Sequence, residues 1–188
     1  MQESKANGKS TKALAASGMF AALVFVSIYF LAIPNGFGGF IHFGDALIFT
    51  AASVLPFPYG LMVAAVGPGL FNLLRGPMWL PFTVLIKPLM ALCFTSKSAK
   101  ILGSKRNIAA PFAAAAINTM LYFFANMALF SLGAIELGHA GAWAAGVAAF
   151  PGLVIQGLGS VAFFFLIAKA LDRAGVKERL FGFSKSEA

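Results

Sequence analysis

Polar side chains recur at four-residue spacing inside three strongly apolar stretches of the sequence. Residues four apart share one face of an α-helix, so each series would present its polar groups to one neighbour or one cavity. The series are Trp79, Thr83 and Lys87; Asn118, Tyr122 and Asn126; and Gln156 with Ser160. Together they offer a cation, amides, hydroxyls and aromatic faces. This combination suits a small, flat, polar heterocycle, because rings stack on Trp and Tyr while amides both donate and accept hydrogen bonds.

Two more polar residues stand at the ends of apolar stretches, Asp45 at a beginning and Asn72 near an end. We expect both to support the same substrate site. Lys87 has three interpretations: it contacts an anionic or carbonyl group of the ligand, it pairs with Asp45 or with the loop residue Glu136, or its long side chain reaches the membrane interface. Trp79 also suits an aromatic residue at a membrane interface, and the asparagines also suit hydrogen bonds between helices.

Motifs of enzymes and metal sites are missing from the sequence. It contains no HExxH, no GxSxG and no Walker lysine loop. The single cysteine, Cys93, lies in an apolar run, and His42 and His139 fall in predicted loops. We therefore expect no catalytic residues, no metal and no cofactor, and any ATP would be used by a separate chain.

The composition indicates a membrane protein. Hydrophobic residues make up 60% of the 188 positions and charged residues 11%, whereas soluble domains carry about 25% charged residues. In lipid the backbone must satisfy its own hydrogen bonds, and long unbroken apolar runs favour helices over a barrel. The net charge of +8 is explained by basic residues that flank membrane spans, so we expect no nucleic-acid partner.

The apolar runs predict an all-α membrane protein with six transmembrane helices. The helices fall near 13–33, 44–57, 58–75, 81–96, 108–132 and 145–170. Pro56, Pro58 and Gly60 separate the second helix from the third. The alternative for 44–75 is one span followed by a re-entrant piece.

The basic residues predict the orientation of these spans. Twelve of the 14 basic residues precede the first helix, lie between the fourth and fifth, or follow the sixth. Cytoplasmic segments carry this excess, so both termini are predicted to be cytoplasmic, and Arg75 and Lys87 need another explanation. The predicted organisation is a cytoplasmic segment 1–12, a transmembrane substrate-binding domain 13–170 and a solvated cytoplasmic tail 171–188.

Small residues form stripes along the first predicted helix. Ser17 and Ala21 lie four apart, as do Gly18 and Ala22. Such faces allow a second helix to approach closely, either within this chain or on another protein.

Several segments resemble the S components of energy-coupling factor (ECF) transporters, in the riboflavin-type branch. Residues 39–47, GFIHFGDAL, are similar to the "G-y-i-x-x-G-D-a" segment of that family, and residues 79–87, WLPFTVLIK, to its "W-x-P-x-T-x-x-I-K" segment. Positions 67–76 and 151–156 fit two further segments, and the resemblance covers roughly residues 12–170. The chain departs from the family at Asn72, where Asp is frequent, and at Leu153, where Asn is frequent.

The resemblance implies a function as well as a fold. It implies a six-helix bundle in the bacterial cytoplasmic membrane and an outward-facing vitamin site capped by the loop after the first helix. It also implies a transmembrane coupling protein that docks on the small-residue stripe, and two cytoplasmic ATPases. Riboflavin, a pyridoxine-like compound, a thiamin-pyrimidine precursor and a cobalamin precursor all fit the predicted site. A stand-alone carrier or channel is the alternative, and a membrane-bound enzyme or assembly factor a more distant one.

Overall fold

The protein is a bundle of α-helices with one short β-hairpin. A computed structural model describes residues 2–34, 40–134 and 141–182. The elements in chain order are α1 (Gln2–Leu31), β1 (Ile33–Pro34), β2 (Phe40–Ile41), α2 (Asp45–Val54), α3 (Tyr59–Arg75), a 3-10 turn (Pro77–Trp79), α4 (Leu80–Ala91), α5 (Lys105–Ser131), α6 (Ala142–Arg173) and α7 (Val176–Phe181).

Helix α2 is the centre of the bundle. Nine of its ten residues are buried, which is typical of a helix that is apolar on all sides. The hydroxyls of Thr50 and Ser53 bond to carbonyls one turn earlier, Ala46 O and Phe49 O, so neither hydroxyl stays unsatisfied. Around α2 pack α1, α3, α4 and α6.

Helix α1 packs closely against α3. A β-carbon placed on Gly67 would lie 2.8 Å from Val24 Cβ and 3.0 Å from Ala21 O. Any larger residue at Gly67 would therefore push α1 away from α3. Arg75, at the end of α3, places its guanidinium 4.9 Å from the centre of the Tyr29 ring on α1, a cation–π contact that explains this basic residue outside the predicted cytoplasmic segments.

Among the residues that the structure describes, three helices are long and apolar enough to cross a membrane: residues 10–31 of α1, α5 and α6. Helices α2 and α4 contain 10 and 12 residues, which is about 15–18 Å of helix, less than a hydrocarbon core of about 30 Å. The predicted spans 44–57 and 81–96 are thus longer than the observed helices. Because α2 is enclosed by protein, its ends and connections can have non-helical backbone at membrane depth.

The boundaries at the two ends of the chain also differ from the prediction. The first helix was predicted to begin near residue 13, but α1 begins at Gln2, so residues 2–12 of the predicted cytoplasmic segment are helical and continuous with the first helix. The last residues were expected to be solvated, yet α7 forms between Val176 and Phe181 with Lys177 and Phe181 buried. The β1–β2 hairpin, in which Ile33 pairs with Ile41, was not predicted because two-residue strands leave no periodicity.

Side chains hold the segment between α4 and α5 at the end of the bundle that also carries α7. Asp172 accepts hydrogen bonds from the amides of Ile101 and Leu102. Asn107 bonds to both the N–H and the C=O of Thr95. Its amide also donates to Ile101 O. This network satisfies backbone groups that a helix would otherwise pair. We call this end the α7 end and the opposite one the hairpin end.

Candidate functional site

A cavity opens at the hairpin end, among the end of α3, the start of α4, α5, α6 and strand β2. Its volume is about 50 Å³, and about 510 Å³ when all the space between its walls out to solvent is counted. The smaller figure is room for a few water molecules. The cavity is lined by Phe40, His42, Pro68, Phe71, Asn72, Trp79, Thr83, Lys87, Tyr122, Asn126, Leu153 and Gln156.

A buried ion pair forms the base of this cavity. Lys87 Nζ lies 2.7 Å from Asp45 Oδ1 and 2.9 Å from Asp45 Oδ2, and it donates a further hydrogen bond of 2.9 Å to Asn118 Oδ1. An ammonium has three protons to donate, and these acceptors use them. Both ionic side chains are almost wholly buried, so each charge depends on the other for compensation.

The same carboxylate is connected to the strand beside it. Gln156 Nε2 donates to Asp45 Oδ2 at 2.9 Å, and Gln156 Oε1 accepts from the backbone N–H of His42 at 3.4 Å. Gln156 therefore joins α6, α2 and the residue after β2. Any movement of the hairpin changes the surroundings of this amide.

A second chain of hydrogen bonds runs along the wall of the cavity. Asn72 Nδ2 donates to Thr83 Oγ1, which lies 2.6 Å from the hydroxyl of Tyr122. Asn126 Nδ2 donates to Tyr122 O at 2.7 Å, one turn earlier on α5. The contact with Thr83 holds the Tyr122 ring in place, and this ring also lies 5.1 Å from Lys87 Nζ.

Aromatic rings complete the walls. Trp79 is buried and its ring centre lies 6.0 Å from that of Tyr122. Phe40 and Phe71 contact each other edge to face at 5.2 Å. A flat ring entering the cavity would therefore meet aromatic surface from both pairs.

Three polar atoms at this end are buried and have no hydrogen-bond partner among the described residues: His42 Nδ1, Asn118 Nδ2 and Asn126 Oδ1. Buried polar groups are normally paired, and an unpaired one is costly. His42 and Asn126 line the cavity, so a ligand there could supply the missing partners.

The structure brings the nine predicted site residues together. Seven line the cavity, and the other two, Asp45 and Asn118, do not line it but accept hydrogen bonds from the Lys87 ammonium. The prediction omitted lining residues, chiefly His42, Phe40 and Phe71, because a loop histidine and apolar phenylalanines carry no helical spacing signal. For His42 a signal existed, since it lies within the family-like segment 39–47.

The predicted docking residues on α1 divide into two pairs. Ser17 is buried and bonds to Leu14 O, while Ala21 is half-buried near Gly67 of α3. Gly18 and Ala22 are exposed, and a β-carbon on Gly18 would meet nothing within 4 Å. Only the Gly18–Ala22 pair is therefore accessible to another protein.

Comparison with known proteins agrees with the residue pattern. The family model described as "ECF-type riboflavin transporter, S component" matches residues 8–173. No curated protein and no solved structure matches the chain. At the level of this family, S components are not enzymes but bind the substrates of membrane transporters. The match extends over most of the sequence and includes every residue of the cavity, and the chain belongs to the S components of ECF-type riboflavin transporters.

Proposed function

We propose that this S component captures a flavin, or a flat vitamin heterocycle like it, in the hairpin-end cavity from outside the cell. The observation that carries the proposal is the pair of unpartnered atoms, Asn126 Oδ1 and His42 Nδ1, on a wall that also carries Trp79 and Tyr122. Asn126 Oδ1 accepts a hydrogen bond from an N–H or O–H group of the ligand, and the rings of Trp79 and Tyr122 stack on the flat ring of the ligand.

The proposed ligand is larger than the space now present. A cavity of about 50 Å³ holds a few waters, whereas pockets for drug-sized molecules measure about 300–1,000 Å³. Binding must therefore move lining side chains or the hairpin. Because the hairpin connects to Gln156 through the His42 amide, this movement would reach the Asp45–Lys87 pair.

We further propose six membrane-embedded helices, α1 to α6, with both termini in the cytoplasm. The hairpin end then faces outward, and the α7 end, with the basic residues that precede α5 and follow α6, faces the cytoplasm. Helix α2 is enclosed by its neighbours, whereas α4 keeps an exposed apolar face, with Leu85 67% and Leu89 46% exposed, which would contact lipid. The Gly18–Ala22 pair would dock a transmembrane coupling protein, which two cytoplasmic ATPases drive. The chain itself would use no ATP.

Ligand binding can be tested with a single tryptophan. The sequence contains two, Trp79 and Trp143, and Trp143 is 65% exposed. In a Trp143→Phe variant, emission reports on Trp79 alone. We expect riboflavin to quench this emission saturably and to raise the melting temperature. A thiamin-pyrimidine precursor, a pyridoxine-like compound and a cobalamin precursor form the comparison panel. If every panel member leaves both signals unchanged in well-folded protein, the proposed site is wrong.

The role of Asn126 can be tested with a matched pair of variants on α5. Asn126→Ala removes the unpartnered acceptor, and we expect riboflavin affinity to fall roughly 5- to 150-fold, a change of about 1–3 kcal/mol. Asn107→Ala removes a buried asparagine at the α7 end and should leave affinity unchanged while lowering stability. Equal affinities for the two variants would contradict the proposal.

The docking proposal concerns the exposed face of α1. Ala22→Leu should abolish co-purification with the coupling protein and leave riboflavin affinity unchanged. Ala162→Leu, the same change at an exposed position of α6, should affect neither. Riboflavin uptake by the lone chain in vesicles would overturn the need for partners and favour a stand-alone carrier.

A further inference from the structure

A second cavity lies at the α7 end of the bundle, opposite the site described above. Its volume is about 310 Å³, larger than that of the hairpin-end cavity. It is bounded by the end of α2, the turn into α3, the end of α4 and the start of α5. Its lining is Ala52, Leu55, Phe57, Gly60, Leu61, Ala91, Leu92, Phe94, Thr95, Ser96, Lys97 and Arg106.

The lining has an apolar part and a cationic part. Apolar side chains from α2, α3, α4 and the segments that follow α2 and α4 form most of the wall. Lys97 and Arg106 supply two positive charges, and the lining contains no acidic residue. Phe57 and Leu92 line the cavity and are also 74% and 46% exposed. The apolar wall therefore continues onto the outer surface of the bundle, so an occupant can have one part inside and another along that surface.

The cations are available to an anion. Arg106 uses Nε and Nη2 to bond Cys93 O and Leu92 O at the end of α4, which leaves the donors of Nη1. Lys97 is exposed, and its ammonium makes no hydrogen bond within the described part of the chain. Lys105 and Arg106 also occupy the first turn of α5, where the helix dipole disfavours positive charge and favours an anion.

We propose that this cavity binds one anionic glycerophospholipid, with its phosphate on Lys97 and Arg106 and an acyl chain along Phe57, Leu61 and Leu92. A phospholipid has the anionic head and apolar tail that this lining requires, and basic pockets between helices at a cytoplasmic membrane face bind such head groups. The inference rests on the proposed orientation, which places the α7 end at the inner leaflet. The lipid would fill a gap between the short helices α2 and α4 where protein packing is incomplete.

The test compares lipids on the delipidated, detergent-purified full chain. Phosphatidylglycerol should raise the melting temperature by several degrees more than phosphatidylcholine with the same acyl chains. Native mass spectrometry should show one retained phosphatidylglycerol. Lys97→Glu should weaken this binding at least tenfold. Lys169→Glu, which reverses an exposed lysine on α6, is the charge-matched control and should bind as the parent does.

Four results would overturn the proposal. The two lipids could stabilise the protein equally, which would show that the cavity does not select an anionic head group. The two lysine variants could lose binding equally, which would indicate that general surface charge attracts the lipid. Glycerol phosphate alone could stabilise as well as the lipid, which would indicate a free-anion site. Lys97→Glu could weaken binding of the coupling protein but not of phosphatidylglycerol, which would assign the cavity to a protein. The shift in melting temperature that riboflavin causes is recorded in the same samples to keep the two proposals separate. If riboflavin causes no shift while phosphatidylglycerol does, only the proposed hairpin-end site is contradicted.

Discussion

Each end of the bundle contains a buried lysine, and the two are stabilised in different ways. Lys87, at the hairpin end, is paired with the carboxylate of Asp45 and the amide oxygen of Asn118. Lys177, at the α7 end, donates to three backbone carbonyls, those of Ser53, Ser96 and Ser98. One lysine thus joins side chains of three helices, and the other ties α7 to the end of α2 and to the segment after α4.

The difference is between buried polar groups that await a ligand and buried polar groups that anchor a segment of the chain. At the hairpin end His42 Nδ1, Asn118 Nδ2 and Asn126 Oδ1 are buried without partners, and within the described residues the only other such atom is Ser160 Oγ. The side chains that hold the α7-end segment have their partners within the protein. Buried polar atoms without a partner therefore lie mostly where the flavin-like ligand is proposed, whereas Lys177, Asn107 and Asp172 at the α7 end are paired within the protein.

Removing the charge of Asp45 should give the largest effect on stability. Asp45→Asn leaves the Lys87 ammonium buried without a counter-charge, and we expect the free energy of unfolding to fall by about 3–5 kcal/mol. Thermal unfolding in detergent measures this loss. The double variant Asp45→Asn/Lys87→Met carries neither charge and should recover more than half of it. Additive losses in the double variant would show that the pair does not act as a unit.

The same pairing limits what Lys87 alone can reveal. Lys87→Met would leave Asp45 as an unpaired buried carboxylate, so weaker ligand binding in that variant could follow from a distorted site. Comparison of riboflavin affinity in Lys87→Met and in the uncharged double variant separates the two causes. Recovered affinity in the double variant would make Lys87 a positioning residue, and affinity that stays low would make it a ligand contact.

Removing Lys177 should have a smaller effect, confined to the α7 end. Lys177→Met leaves three carbonyls without this donor, and we expect a loss of about 1–3 kcal/mol in the free energy of unfolding. Riboflavin affinity should stay at the parental value, because the cavity lies at the opposite end. Hydrogen exchange should increase in α7 and in residues 95–102. A loss of affinity comparable with that of Asn126→Ala would show that the two ends are coupled.

A hydroxyl deletion in the cavity should have a still smaller effect. Tyr122→Phe removes the hydrogen bond to Thr83 and keeps the ring that faces Trp79. We expect the free energy of unfolding to fall by about 0.5–1.5 kcal/mol and riboflavin affinity to change little. Tyr122→Ala also removes the ring and should weaken binding markedly. If both variants bind equally well, stacking on Tyr122 does not contribute.

The sequence predicted one buried lysine and missed the other, for a physical reason. Lys87 interrupts an apolar run at helical spacing with Thr83, so its burial and its need for a partner follow from the pattern. Lys177 lies among other charged residues after α6, where the same residue type is usually solvated. Its partners are backbone carbonyls, which have no sequence signature. Spacing likewise identified Asn126 but not His42, whose position depends on a hairpin of two-residue strands.

The pH dependence of stability extends the comparison of the two lysines. Burial lowers the pKa of Lys177 to about 8, from its ordinary 10.5, although nearby Asp172 acts in the opposite direction. Between pH 8 and 10.5 the unfolded chain then holds a proton at this residue that the folded chain has released. Stability contributed by this group therefore rises with pH across that window.

Because other groups titrate there too, the measurement is the difference in melting temperature between the parent and Lys177→Met. That difference should grow in favour of the parent from pH 8 to pH 10 and stay constant from pH 6 to pH 7. If the difference shrinks above pH 8, the three carbonyls stabilise the ammonium by more than burial destabilises it. The folded state of Lys177 would then depend on the positive charge, as that of Lys87 does.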